Sequence, residues 1–327
     1  MPAVLLALLA LGVLYVVVPR IAGFDDTWRR LSRGDPWWLL IALAFELGSF
    51  SGYVALFRHV FAPEAPQIGW RASWRISLAG VAASRLLAAG GAGGIVLTGW
   101  ALHRTGMAAQ RVVARVTAFL VLLYAVYMAA LVLAGAGLRS GLLAGPAPVS
   151  LTVVPALFGA IVIAVALLAM RLPPDLERRL GALAHDERRA ARVVRALARG
   201  LALLGEGVRV AFELLRGRDP ALLGAVAWWA FDVGALWACL HAFGAHVPGG
   251  VVTMAYFVGM TANLLPVPGG VGAVEGGMIG ALVAFGAPAG TAIAGVLAYR
   301  ALALWLPALA GVVAYVQLVR AAAHDAR

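Results

Sequence analysis

Charged side chains fall inside the hydrophobic stretches of this 327-residue chain, namely Glu46, Arg85, Asp232, Glu275 and Arg300. A charge at the centre of a bilayer costs at least about 2.5–3.5 kcal/mol, so such residues face a protein interior or a wet cavity and mark functional sites by default. We expect these side chains to bind an anionic group, to hold a proton or to pair with one another.

Glu275 is the best placed of these residues for chemistry. It follows a glycine-rich break, near the start of a helix that returns into the hydrophobic region. The free N–H groups and the dipole of such a helix start favour a phosphate or a carboxylate. Glu275 either neutralises this helix start or pairs with Arg300, and the pattern leaves a structural salt bridge and a functional site equally open.

The break itself is a run of prolines and glycines between two apolar stretches, from Thr261 to Gly277. Proline removes a backbone donor and clashes with the preceding turn, and glycine loosens a helix further. Broken backbone at membrane depth is tolerated only where protein buries it or where it lines a wet cavity. The sequence therefore predicts a discontinuous, re-entrant helix pair over about 251–286.

The composition, 63% apolar and 13% charged, is that of a membrane protein. Several apolar runs approach the roughly 20 residues that cross a bilayer. These runs lie near 3–18, 37–57, 76–102, 112–134, 150–170, 221–243, 251–286 and 291–318. We expect an all-α polytopic membrane protein with about six full spans plus two re-entrant broken-helix hairpins, about 76–102 and 251–286, arranged as an inverted repeat.

The net charge of +11 comes from arginine, since all 26 basic residues are Arg. We assign it to the positive-inside rule and to anionic lipid, not to nucleic acid. Residues 171–220 carry eleven Arg against seven acids, with apolar residues at helical spacing. This pattern predicts an amphipathic helical segment on the cytoplasmic membrane surface, and the tail after Arg320 is expected on the same side.

An internal repeat relates the two halves. A shift of 179 residues places Gly80, Gly90, Gly91 and Gly93 on glycines of the second break and superposes the flanking spans. The repeats are 1–135, and 149–170 with 221–319, the segment 171–220 being inserted in the second. If both hairpins re-enter, each half crosses three times and the halves are inverted. Whether 76–102 re-enters or spans stays open, and with it the side of the N-terminus.

The second break resembles the signature of the flippase-like membrane domain of lysylphosphatidylglycerol synthases. The residues that carry the resemblance are Pro266-x-Pro268-Gly269-Gly270-x-Gly272-x-x-Glu275-Gly276, Tyr299-Arg300, Trp305, Gly311 and Ala101 to Gly106. The resemblance implies movement of lipids or lipid-linked molecules between leaflets. Because the chain ends at Arg327, it implies a free-standing member without the soluble aminoacyl-transferase domain. Relatives often carry Asn-x-x-Pro and an acid where this chain has Ser84 to Leu87, so the headgroup is not specified.

The candidate site combines both breaks. The expected substrate-binding residues are Arg85, Asn263, Gly269, Gly270, Glu275 and Arg300; the hairpin-forming residues are Gly90, Gly91, Gly93, Pro266, Pro268 and Gly272; and the polar or proton-holding residues are Asp232 and Glu46. We expect Arg85 and Arg300 to hold a lipid phosphate, the alternative for Arg85 being to snorkel to the cytoplasmic headgroups. Asp232 and Glu46 have the alternative role of pairing helices.

The leading hypothesis is a lipid translocator in the cell membrane of a bacterium or archaeon, acting on an anionic phospholipid or a polyprenyl-phosphate molecule. We expect membrane lipids as partners, together with a second copy of the chain or a separate lipid or glycan synthesis enzyme. No metal, cofactor or enzymatic activity is expected. The alternatives are an intramembrane enzyme with Glu275 as general base, and a non-transporting partner of a synthesis complex.

Overall fold

The computed structural model describes residues 34–86, 92–172, 189–264 and 270–324, and every element in these ranges is a helix. The α-helices are α1 (Pro36–Phe61), α2 (Trp70–Leu86), α3 (Ala92–His103), α4 (Ala109–Arg139), α5 (Val149–Met170), α6 (Arg189–Arg216), α7 (Gly224–Ala242), α8 (Gly249–Met260), α9 (Ala273–Ala284), α10 (Ala289–Arg300) and α11 (Leu306–His324). Short 3₁₀ turns cover Pro220–Leu223 and Thr261–Leu264, and a π-helical turn, Ala301–Trp305, joins α10 to α11. The predicted span 3–18 lies outside the described residues.

Five helices of the described chain are long and apolar enough to cross a membrane. They cover Pro36–Phe61, Ala109–Arg139, Val149–Met170, Pro220–Ala242 and Ala289–Leu318. Each agrees with a predicted span, and the all-α polytopic membrane architecture is confirmed. α5 lies at the edge of the bundle, where it exposes a broad apolar face.

The two interrupted stretches form helical hairpins, α2 with α3 and α8 with α9, in which the two arms pack side by side. The short arms, α3, α8 and α9, each have 12 residues, about 18 Å at 1.5 Å per residue, well short of the roughly 30 Å of hydrocarbon. A Cβ at Gly259 of α8 would lie 2.7 Å from the backbone nitrogen of Met278 on α9, so only glycine permits this approach.

α1 and α7 form the longest helix contact in the described chain, and they run antiparallel. Residue numbers fall along α7 as they rise along α1, as the paired positions show: Trp38 with Trp237, Phe45 with Phe231, Ser49 with Trp228 and Gly52 with Gly224. The Ser49 hydroxyl donates to the Trp228 carbonyl oxygen at 2.8 Å. A Cβ at Gly52 would lie 2.9 Å from the Gly224 carbonyl oxygen, so small residues set the separation of the two helices.

Helix starts recur at an interval near 179 residues. Trp70 begins α2 and Gly249 begins α8, and Ala109 begins α4 while Ala289 begins the last span. The same interval relates the two helices of the antiparallel α1–α7 pair, since Ser49 and Trp228, which are in contact, are 179 residues apart. These intervals agree with the predicted repeat, which stays a prediction together with its inversion.

The amphipathic segment contains a long helix, α6, that packs against α4 and α5. A Cβ at Gly207 would lie 2.8 Å from the Cβ of Thr117 on α4, and the Arg209 guanidinium donates to the Met170 carbonyl oxygen at the end of α5 at 2.9 Å. The predicted helix is present, with one face docked on two spans; its position on the membrane surface stays a prediction. Residues 173–188 of the predicted segment lie outside the described residues.

A cluster of charges ties the turn after α1 to the start of α4. The Glu64 carboxylate accepts from Arg111 at 2.8 Å and from Arg115 at 2.9 Å. These two hydrogen bonds, with the positive charges behind them, hold the pKa of Glu64 below its ordinary value. The cluster lies on the side that the arginine distribution predicts to be cytoplasmic.

Gly52→Leu should lower the stability of the bundle, because the added side chain would meet the α7 backbone. Overpacking of this kind costs about 1–3 kcal/mol or more, so the thermal unfolding temperature of the detergent-solubilised protein should drop by several degrees. Gly200→Leu is the matched control, since nothing lies within 4 Å of a Cβ at Gly200 of α6. Equal unfolding temperatures for both variants would contradict the close α1–α7 packing.

The stability supplied by Glu64 should depend on pH. Its pKa is lower in the folded protein than the ordinary 4.5, so its contribution is fully present above pH 4.5 and is lost as the pH falls through the folded-state value. Glu64→Gln should therefore lower the unfolding temperature at neutral pH, and the difference from the parent protein should shrink below pH 4.5. A difference that does not change between these conditions would rule out the ionic contribution.

Candidate functional site

Glu275 lies in the first turn of α9, directly after the second break. The chain reaches this helix through Gly270 and Gly272, whose φ angles are +64° and +83°, a region that glycine adopts without steric cost. Glu275 Oε2 accepts a hydrogen bond from the backbone N–H of Gly272 at 2.6 Å. The carboxylate thus satisfies the backbone donor of the residue that caps its own helix, as a glutamate does at the third position of a helix.

Arg300 approaches the same carboxylate from the end of α10. Its Nε donates to Glu275 Oε1 at 2.6 Å, and the side chains of Arg300 and Glu275 are only 10% and 13% exposed. The two roles that the sequence left open for Glu275, capping the helix and pairing with Arg300, are therefore filled together, one by each carboxylate oxygen. A buried charge pair with these additional hydrogen bonds meets the conditions under which such pairs are tolerated.

A helix start and a guanidinium converge on the Glu275 carboxylate, and we call this place the anion site. Both features favour negative charge, and an arginine presents planar donors that match carboxylates and phosphates. In this structure the anion is the carboxylate of Glu275. Asn263, the other predicted ligand nearby, is exposed, and its Oδ1 would collide with a Cβ at Gly270, so these two residues lie against each other beside the site.

A second buried polar cluster adjoins the first. Asp232 of α7, 7% exposed, accepts from the Tyr256 hydroxyl at Oδ2 and from the Tyr299 hydroxyl at Oδ1, the latter at 3.0 Å. Since Tyr299 directly precedes Arg300, the cluster fixes the backbone from which the guanidinium extends. Tyrosine hydroxyls from α8 and α10 therefore position a carboxylate that the sequence placed alone in a span.

Glu46 of α1, 3% exposed, belongs to the same region. Its helix packs along α7, which carries Asp232. The sequence grouped Asp232 with Glu46 but missed Tyr256 and Tyr299 as the partners of Asp232. The sequence did hold a signal for both tyrosines. Tyr299 directly precedes Arg300, and Tyr256 lies in the apolar helix that leads to the second break.

Several predicted site residues cannot be placed. Helix α2 includes Arg85, but its side chain is not described. Gly90, Gly91, Pro266, Pro268 and Gly269 lie outside the described residues. Gly93, predicted at the first break, lies in the first turn of α3, so the described helix begins earlier than the pattern suggested. Within the described ranges, no three His, Cys, Asp or Glu side chains are grouped as a metal site requires.

The fold and the site define a helical, multi-pass membrane protein with two short helical hairpins and a buried anion site where the second hairpin meets the last span. The family profile described as the lysylphosphatidylglycerol synthase TM region matches residues 3–311. The chain belongs to this family, which ties it to membrane lipids. A search of curated proteins finds no match to the chain.

Arg300→Ala should destabilise the protein more than Glu275→Gln does, because it leaves a buried carboxylate without its partner. Breaking a buried pair from one side costs about 3–5 kcal/mol. The double variant should cost less than the sum of the two single variants, and unfolding of all three in detergent measures this coupling. Arg139→Ala, at an exposed helix end, is the control. Additive effects would contradict a direct energetic link between Glu275 and Arg300.

Proposed function

We propose that this protein moves an anionic phospholipid, or a lipid-linked or polyprenyl-phosphate molecule, between the leaflets of a bacterial or archaeal cell membrane. The observation that carries the proposal is the placement of the Glu275 carboxylate between the start of α9 and the Arg300 guanidinium. A site built for an anion, buried in a membrane protein of a lipid-associated family, suits a lipid phosphate.

The proposed step is an exchange of anions. A phosphodiester carries one negative charge, as Glu275 does. It can replace the carboxylate beside Arg300 without changing the net charge of the site if Glu275 takes up a proton from water as it leaves the guanidinium. The backbone donor at Gly272 and the guanidinium would then bind phosphate oxygens. When Glu275 gives up that proton and returns to Arg300, it displaces the headgroup, and no buried charge is left unpaired.

The short hairpins support a crossing path for the headgroup. Arms of 12 residues reach only about 18 Å, as expected of re-entrant segments that end inside the membrane. We infer that the hairpins enter from opposite sides, because their neighbours α1 and α7 hold equivalent places in the predicted repeat and run antiparallel. Paired interrupted segments of an inverted repeat are where transporters bind their substrates.

Arg85, in the arm of the first hairpin, is proposed to supply a second positive charge to the phosphate. For Asp232 we favour a positioning role. Its hydrogen bond from Tyr299 fixes the backbone next to Arg300, and this supports a structural function whether or not the cluster also holds a proton. As protein partners we propose a second copy of the chain or a lipid or glycan synthesis enzyme.

Leaflet exchange in liposomes tests the proposal. Purified protein should accelerate the exchange of fluorescent phosphatidylglycerol, followed by an impermeant quencher. Arg300→Ala should slow exchange at least about tenfold, because losing one partner of a buried charged contact costs 2 kcal/mol or more. Glu275→Gln should also be slow but should retain anionic lipid more tightly, since the displacing carboxylate is gone.

Arg139→Ala, at an exposed helix end, should exchange lipid at the parent rate. Full exchange by both Arg300→Ala and Glu275→Gln would refute the proposed site. Mass spectrometry of the recovered lipids separates translocation from catalysis, since a chemically altered lipid would favour the intramembrane enzyme.

A further inference from the structure

A groove of about 670 Å³ opens where the end of α4 meets the start of α8. It lies on the side of the membrane that the arginine distribution predicts to be outside. Its walls are apolar and mostly small, and the residues that define it are Ala130, Ala134, Gly137, Leu143, Gly249 and Thr253. The volume is within the range of pockets that hold small ligands.

The one hydroxyl among these six residues is already satisfied. Thr253 Oγ1 donates to the Gly249 carbonyl oxygen of its own helix at 2.8 Å. The groove therefore offers its occupant apolar contact and close approach to a glycine backbone, and it suits a ligand segment that has no hydrogen-bonding groups of its own.

The corresponding place in the other half of the chain has large side chains. Moving back 179 residues from Gly249 and Thr253 leads to Trp70 and Trp74 of α2. The same interval leads from the small residues of α4 to large ones of α11: Ala130 to Leu309, Ala134 to Val313 and Gly137 to Val316. α2 packs on α11 as α8 packs on α4, so equivalent helix pairs carry bulky residues in one half and small ones in the other.

The groove is continuous with the lipid-facing surface of the spans. α4 and α5 are long and apolar enough to cross the membrane. Leu133 and Leu142, on the rim of the groove, are 70% and 84% exposed. Within a bilayer, the chemical group that reaches an open apolar groove beside such residues is a lipid acyl chain.

We propose that this groove binds an acyl chain of a phospholipid in the outer leaflet. α8 leads from Gly249 at the groove to Met260, about 17 Å away, beyond which lie the second break and Glu275. The groove and the second break therefore lie at opposite ends of one helix. The link to the headgroup rests on the proposed function, whereas the binding of the tail does not.

Photolabelling tests the groove directly. Phosphatidylglycerol with a diazirine in the middle of one acyl chain is incorporated with the purified protein into nanodiscs, irradiated, and the labelled peptides are mapped by mass spectrometry. Labels should concentrate on peptides that contain residues 130–144 and 248–253. Gly249→Trp, which copies the residue of the other half, should lower this labelling severalfold, because the indole ring would occupy the space in which the acyl chain lies.

Two further variants keep the test decisive. Ala144→Phe fills the groove from the opposite wall, at an exposed position, and should lower labelling as well. Gly280→Trp, an exposed position on α9 with nothing within 4 Å of its Cβ, should leave labelling unchanged. Labelling that persists in both groove variants, or that spreads evenly over α5, would overturn the proposal. Labelling of the groove by a protein that shows no leaflet exchange would support the acyl-chain site and refute only the translocation.

Discussion

The structure depends on the pairing of one buried carboxylate. Glu275 is bound on one oxygen by the backbone of Gly272 and on the other by Arg300, and each contact imposes a condition on its surroundings. The first requires a helix start beside the carboxylate, with glycines at positive φ before it. The second requires that α10 end at the same depth as α9 begins. The hairpin and the last span are therefore fixed relative to each other by charge, in a medium where an error of a few ångströms would leave an ion without compensation.

Around this pair, close backbone packing provides the rigidity. Glycine on α8 lets α9 approach, glycines on α1 and α7 let these helices cross, and glycine on α6 lets it dock on α4. In a bilayer the hydrophobic effect does little to hold helices together, so van der Waals contact between small residues and a few hydrogen bonds must do so. The Ser49 and Tyr127 hydroxyls, bonded to the backbones of α7 and α8, are examples. Where such small residues have no partner helix to fill the space next to them, at the end of α4, they leave a groove.

The sequence predicted most of the spans and the place of the second break, because hydrophobic length and the distribution of proline and glycine are local properties. It also identified Glu275 and Arg300 as possible partners, since each is a charge that an apolar run cannot leave exposed. It did not predict Tyr256 and Tyr299 as ligands of Asp232, because tyrosines in membrane helices are also common at the interface and only the packing of three helices distinguishes the roles. The docking of α6 was missed for a related reason. Its arginines indicated a membrane surface, while the contact depends on Gly205 and Gly207, whose partners lie in distant segments.

The π-helical turn between α10 and α11 changes the direction in which the side chains of the last span point. Before it, the helix presents Tyr299 and Arg300 to α7 and α9; after it, the helix packs on α2. A π-helical turn holds one residue more than an α-helical turn, and each residue of an α-helix advances about 100° around the axis. The turn from Ala301 to Trp305 thus rotates the residues that follow it around the helix axis. One continuous helix can therefore face the anion site along its first half and the first hairpin along its second. A deletion of a single residue here would rotate one of these faces away from its partner while leaving the composition and the hydrophobic length of the span almost unchanged.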